Sequence, residues 1–398
     1  MLKIFYSFDD VGYNENKGWS IFMENVLQYL KWRGDILFSE RSFNENDALI
    51  CGLLGYIEWD NIVQDDKILL RDACQKNLEI HTHEEMALTY AYSPMLIELM
   101  ETLPSAARYK NVVLKRYESI LDEDEGGQFS AVTIELDNHT YFISYRGTDS
   151  TILGWKEDFE MTFLDMIPSQ QMALNYLQKI YNEMIPKKKR LFRNSQTPTI
   201  YLGGHSKGGN LAMYAAICCE EMKPYITHVY SFDGPGFRED FYKNHEYHSI
   251  IERIYNYAPM SSLIGRLMIH KEKYVIFKAY DNGLQQHDGF YWKVTAENFD
   301  YVDKFDAESD KTIQYINDVL LSKTDAEKKT FISLIFKILN DIKISEITDF
   351  NEISLTQAYN GLKELKSLSL EDSKMLLEFL KLIVLQVKSV YFTKKKEI

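Results

Sequence analysis

The sequence predicts an α/β fold with a mostly parallel sheet. Three observations carry this. Apolar, β-rich runs alternate with helical spacing from about Asn111 onward. A glycine-rich turn, "GGHSKGG", joins the apolar run "TIYL" to the Ala-rich "NLAMYAA". Beyond about Asp303 the β signal disappears and helical spacing takes over.

Residues 1–104 read as a mostly helical segment packing on the core. In "WSIFMENVLQYLKWRGD", Ile21, Phe22, Val26, Leu27, Tyr29 and Leu30 lie mainly along one side of a helix that Gly34 stops. The core spans 105–302. "NVVLKRYESIL", "QFSAVTIEL" and "TYFISYRG" read as consecutive strands joined by tight turns. "SQQMALNYLQKIYNEMIP" restores helical spacing, and the strand "PTIYLGG" with its helix "NLAMYAAICCEEM" follows. "THVYSFD", "RIYNYAP" and "YVIFKAY" complete the strands.

Residues 303–398 form a C-terminal helical region. "TDAEKKTFISLIFKIL" opens with a capping box from Thr324 to Glu327, and Ser354 with Gln357 repeats the spacing. The apolar terminal stretch "SKMLLEFLKLIVLQVKSVYF" reads as a helix packed on the body, with a partner-binding or peripheral membrane-surface helix the alternative.

The net charge of −14 argues against nucleic acid. The basic runs Lys187–Arg190 and Lys394–Lys396 read as a solvated loop and a solvated tail. The N-terminus lacks the layout of a signal peptide, and no apolar run reaches the ~18 residues of a membrane span. Cys51, Cys74, Cys218 and Cys219 show no metal spacing, so a reducing cytoplasm is the expected location. Neither a metal nor another cofactor is expected.

Gly204-His205-Ser206-Lys207-Gly208 is a G-x-S-x-G between a strand and a helix, the setting of a nucleophile elbow. Glycines at both ends remove side chains that would collide there. Ser206 then projects from the C-terminal edge of the sheet, beside the amides that begin the next helix, including that of Lys207.

A serine hydroxyl needs a base, and in this architecture the chain order is nucleophile, acid, histidine. That order eliminates His81, His83, His139 and His205. His228 lies inside a strand, His270 precedes the last strand, and His245 and His248 fall in a polar connection. His287, in the loop after the last strand, is the candidate base. The candidate acid is Asp233, at the end of "VYSFD" before a Gly-Pro-Gly turn; Asp281 is the alternative. Asp288 adjoins His287, with its side chain expected to point away. For the oxyanion hole, Thr148 of Arg146-Gly147-Thr148 offers its amide and its hydroxyl beside the Lys207 amide. The segment Trp155–Ser169 reads as helix packing, with a lid the alternative.

These pieces resemble the class 3 lipases, whose "RGT" and "GHSxGG" stand here as Arg146–Thr148 and Gly204–Gly209, with a similar Trp and Asp pattern at Trp155 and Asp158. A closer likeness is to an Mbeg-like bacterial family of lipase-like α/β hydrolases. "YLKWRGDILFSERSFNENDALI", "GGHSKGGNLAMYAA", "YSFDGPGF", "APMSSLIG" and "QQHDGFYW" carry it over roughly residues 25 to 300. The resemblance implies an α/β-hydrolase core and an esterase or lipase-like hydrolase. Class 3 lipases carry their acid after the strand corresponding to "RIYNYAP", where this chain has no carboxylate until Glu272. The acid therefore does not transfer, and Asp233 rests on topology.

The expected reaction is cleavage of a small-molecule or lipid acyl ester through a Ser206–His287–Asp233 triad and an acyl-enzyme. An acyltransferase or peptidase on the same triad is the alternative within enzymes. A non-catalytic interaction protein with a hydrolase fold is the alternative outside them.

Overall fold

A computed structural model describes residues 11–14, 18–21, 24–63, 67–90, 93–122, 127–137, 139–148, 152–185, 197–280 and 283–341. The basic runs, Asp281, the second capping box and the apolar terminal stretch lie outside the described residues. Among the described residues no helix is long and apolar enough to cross a membrane.

The first hundred residues hold strands β1 (Val11–Asn14), β2 (Gly18–Ile21) and β3 (Ile68–Leu69) and helices α1 (Val26–Arg33), α2 (Glu45–Leu54), α3 (Leu70–Ile80), α4 (His83–Thr89) and α5 (Met95–Thr102). The hairpin β1–β2 departs from the helical reading of this segment. Its register sets Tyr13 opposite Trp19, and Gly12 and Gly18 disfavour a helix. Then come β4 (Val113–Asp122), β5 (Gly127–Asp137), β6 (Thr140–Tyr145), α6 (Ile152–Glu160), α7 (Pro168–Met184), β7 (Thr199–His205) and α8 (Lys207–Cys218). β8 (Ile226–Phe232), α9 (Glu239–Asn244), β9 (Ile254–Pro259), β10 (Lys273–Phe277), α10 (Ala307–Ser322) and α11 (Asp325–Asp341) complete the described elements.

One sheet of eight strands has the order β10-β9-β8-β7-β6-β5-β4-β3. β6 to β10 pair in parallel; β3, β4, β5 and β6 pair antiparallel. The connections between parallel strands return the chain to the same edge each time. The loops after β6, β7, β8, β9 and β10 therefore gather at one C-terminal edge, where an open α/β sheet forms its binding crevice.

Alternation along the strands divides the core between the two sheet faces. Val132, Phe142, Phe232 and Tyr257 are buried with Leu49, Leu53 and Leu99 of the N-terminal helices. Ala131, Ile143, Leu202 and Val229 are buried with Leu177 of α7 and Leu211 of α8. The fold is an α/β hydrolase, with helices on both faces of a mostly parallel sheet.

The N-terminal segment is anchored by a buried ion pair as well as by apolar packing. Asn44 and Asp47 form the capping box of α2, and Asp47 also receives Arg108 at 2.5 Å, Tyr109 at 2.6 Å and Tyr29 at 3.0 Å. Arg108 donates further to the carbonyls of Ile36, Arg41 and Ser42. The polar loop "DILFSERSFNEND" is thereby fixed. At the other end, α11 begins at the Thr324–Glu327 capping box and packs on α6, with the Phe336 and Phe159 rings 6.2 Å apart. Within residues 156–169, Met161, Phe163 and Ile167 are buried while Asp165 and Met166 are exposed.

Candidate active site

The elbow follows from its sequence. Ser206 has φ 57° and ψ −129°, a left-handed conformation that a side chain adopts only when its surroundings hold it there. The turn is pinned by Ser206 N donating to Phe232 O at 2.8 Å and Gly209 N donating to Ser206 O at 2.9 Å. Helix α8 then starts against the sheet so closely that a Cβ on Gly208 would lie 2.2 Å from the Tyr145 carbonyl oxygen.

Strand order brings Asp233 next to the elbow. β8 pairs with β7, so Asp233, directly after β8, stands beside Ser206 at the same edge. Asp233 is also left-handed, at φ 53°, and is 1% exposed. Its amide donates to Tyr257 O at 2.8 Å, and Ser262 in the loop after β9 donates its hydroxyl to Asp233 Oδ1 at 2.5 Å. The other oxygen, Oδ2, lies 2.6 Å from His287 Nδ1. That contact sets the tautomer: Nδ1 carries the proton toward the carboxylate, and no described residue bonds Nε2.

The loop that carries His287 is tied at several points. His205 Nε2 lies 2.5 Å from the His287 carbonyl oxygen, and the two rings sit 4.5 Å apart. A carbonyl can only accept, so His205 Nε2 holds the proton and Nδ1 accepts from the Tyr56 hydroxyl at 3.0 Å. Burial pushes the His205 ring well below the usual histidine range, which keeps it in this neutral form. Trp292 Nε1 donates to Gln286 O at 2.6 Å, and Ser261 N donates to the Gln286 side chain at 3.1 Å. Two ties come from the N-terminal segment: Asn25 Nδ2 to Phe290 O at 2.9 Å, and Ser93 Oγ to Asp288 Oδ2 at 2.9 Å. Asp288 thus turns away to Ser93 and to the Phe290 amide.

At the oxyanion side the structure corrects the reading of Thr148. Its hydroxyl does not face an empty site; it donates to Asp158 Oδ2 at 2.6 Å. The amides of Thr148 and Lys207 donate to no other described residue. The Lys207 side chain is 1% exposed and meets Glu157 Oε2 at 2.8 Å. Glu157 also accepts from Ser169 N at 2.8 Å. Burial pushes Asp158 up to about 6, against the opposing pull of Lys207.

Three further histidines have other partners. His270 pairs with Glu272 at 2.5 Å, His228 stacks on Tyr255, and His245 bonds the Phe241 carbonyl.

A sequence profile of the Mbeg1-like family matches residues 103–337. The chain belongs to the Mbeg1-like family. No curated protein sequence matches this Mbeg1-like chain. Among solved structures it is similar to a lipase from Rhizopus microsporus var. chinensis, at 12% identity and a TM-score of 0.35, over 57% of this chain and 80% of that one. Lipase II from Rhizopus niveus is similar at 11% identity and a TM-score of 0.33, over 61% and 91%. A Rhizomucor miehei lipase in complex with its propeptide is similar at 15% identity and a TM-score of 0.30, over 51% and 68%.

The sequence reading gives no supporting role to several residues of this candidate site: His205 and Tyr56 behind His287, Ser262 behind Asp233, and Glu157 under the elbow. Glu157 alone had a usable signal. A lysine inside an elbow packed on both sides requires a carboxylate, and "GWKEDFE" supplies candidates.

Proposed function

We propose that this protein is a serine hydrolase that cleaves an acyl ester through an acyl-enzyme. The observation that carries the reading is the 2.6 Å contact between His287 Nδ1 and Asp233 Oδ2, at the edge where Ser206 stands on a strained turn. With Nδ1–H directed at the carboxylate, Nε2 is the nitrogen able to take the Ser206 proton as the hydroxyl attacks the carbonyl carbon. Asp233 stabilises the imidazolium that forms. The amides of Lys207 and Thr148 supply donors for the oxyanion, each such donor contributing roughly 10²–10³ in rate. His287 next protonates the leaving alcohol, and then draws a proton from water as that water attacks the acyl-enzyme.

The test is labelling by a fluorophosphonate probe together with turnover of p-nitrophenyl esters of graded chain length. Wild type labels and turns over; Ser206→Ala does neither. Asp233→Asn lowers kcat by about 10³–10⁴ because the histidine loses its tautomer. A folded wild type that stays unlabelled overturns the reading in favour of a non-catalytic protein. A rise in kcat/KM toward long acyl chains identifies a lipid substrate.

A further inference from the structure

Four lysines and arginines are deeply buried among the described residues: Arg108, Arg146, Lys207 and Lys223. Three have acidic partners, namely Asp47 for Arg108, Glu157 for Lys207, and Glu220 with Glu246 for Lys223. Arg146, directly after β6, has none among the described residues. It is 8% exposed, and its Nε is buried with no hydrogen-bond partner.

A buried hydroxyl stands beside it. Ser130 on β5 is 1% exposed, and its Oγ makes no hydrogen bond of normal geometry, although the Tyr117 phenol is close enough to interact with it. The register pairs Ala131 with Tyr145, and Arg146 N donates to Ser130 O at 2.9 Å, so Ser130 and Arg146 are directly opposed. Opposed residues of an antiparallel pair project to the same face. The phenols of Tyr90 and Tyr117 lie close enough to feel the Arg146 charge, which favours their ionised forms against the larger effect of burial, while Glu58 near Tyr90 and Asp60, which accepts from the Tyr117 hydroxyl at 3.2 Å, act the other way without forming an ion pair with Arg146.

A guanidinium removed from water with no carboxylate paired to it is unfavourable, and a methionine would fill the place without that cost. The arrangement makes chemical sense when a counter-ion arrives from outside. A guanidinium binds a carboxylate or phosphate through two parallel N–H donors, and a serine hydroxyl adds a third. The position also matters, since Arg146 is two residues before Thr148 at the edge that carries Ser206 and His287.

We propose that Arg146 and Ser130 form an anion-binding subsite that takes a phosphate or carboxylate group. Where that group belongs to the substrate, the inference rests on the serine-hydrolase reading and makes the preferred ester an anionic one. A free phosphate ion is the other source.

Two measurements test it. Titration calorimetry with inorganic phosphate, against chloride at equal ionic strength, reads the subsite without turnover. Wild type binds phosphate, Arg146→Met weakens binding by about tenfold or more, and Arg146→Lys keeps part of it. Ser130→Ala weakens it more modestly and serves as the comparison if Arg146→Met does not fold. The second measurement is the ratio of kcat/KM for mono-p-nitrophenyl glutarate over p-nitrophenyl valerate. A fall of about tenfold in that ratio in Arg146→Met places the anion on the substrate. Phosphate binding lost with an unchanged ratio identifies the free ion.

The subsite is overturned if wild type binds no phosphate and does not discriminate between the two esters. It is equally overturned if a folded Arg146→Met keeps both properties. An inactive protein that binds phosphate through Arg146 sinks the hydrolase reading and leaves the subsite standing; an active enzyme indifferent to both probes does the reverse.

Discussion

Lys207 Nζ lies 2.8 Å from Glu157 Oε2, with the two side chains 1% and 0% exposed. The pair joins the first residue of the helix behind Ser206 to α6, which also bears Asp158. Removing one partner strands a buried charge, so Lys207→Met and Glu157→Leu each destabilise the fold by about 3–5 kcal/mol. The double variant recovers more than half of that loss, because two apolar side chains replace a desolvated pair. Urea denaturation of the four proteins of this cycle measures it. Additive losses in the double variant would show that the two side chains act separately.

His205 holds His287, the proposed base, from behind through its main chain. Its Nε2–H reaches the carbonyl of His287 itself, and Tyr56 holds the other ring nitrogen. His205→Ala is expected to lower kcat by about 10–100-fold while KM stays within about twofold, since the loop loses alignment and not substrate contacts. His205→Gln, which keeps an N–H donor, restores part of the rate. Equal losses in both variants would point to packing alone.

Asp158 links pH to stability. Its folded-state value, about 6, is raised above the ordinary aspartate range by burial. The stability it contributes is therefore fully present below about pH 4 and is lost as pH rises through 6. Asp158→Asn keeps an acceptor for the Thr148 hydroxyl but does not titrate. The variant should match wild type near pH 4 and become more stable by about 1–3 kcal/mol above pH 7. Denaturation curves at pH 4.5, 6 and 7.5 give the comparison; a gap that shrinks as pH rises contradicts the expectation.

Features set by neighbouring residues are legible in the sequence. The elbow is a local object, since "TIYLGG", the serine and "NLAMYAA" are consecutive, and the left-handed turn at Ser206 is what that string can form. Chain order extends the reach to Asp233 and His287, because successive parallel strands deliver their loops to one edge. The rest depends on which distant side chains meet. Glu157 reaches Lys207 across 50 residues, and Ser262 reaches Asp233 across 29. Periodicity carries no information at that range. The β1–β2 hairpin was hidden for another reason: the strong helical spacing from Val26 to Leu30 dominates a segment whose first strands are only four residues each.

The ties from Asn25 and Ser93 to the loop of His287 have a consequence for the order in which the chain is made. During synthesis the seat for that loop emerges first, then the serine, then the acid, and the histidine last. An emerging chain stopped before residue 287 would carry the elbow and Asp233 but no His287, however well its earlier parts had folded. Reactivity would then arrive in one step, when the late loop docks on the oldest part of the protein. Under the proposed mechanism, a nascent chain would be inert until that late loop has docked.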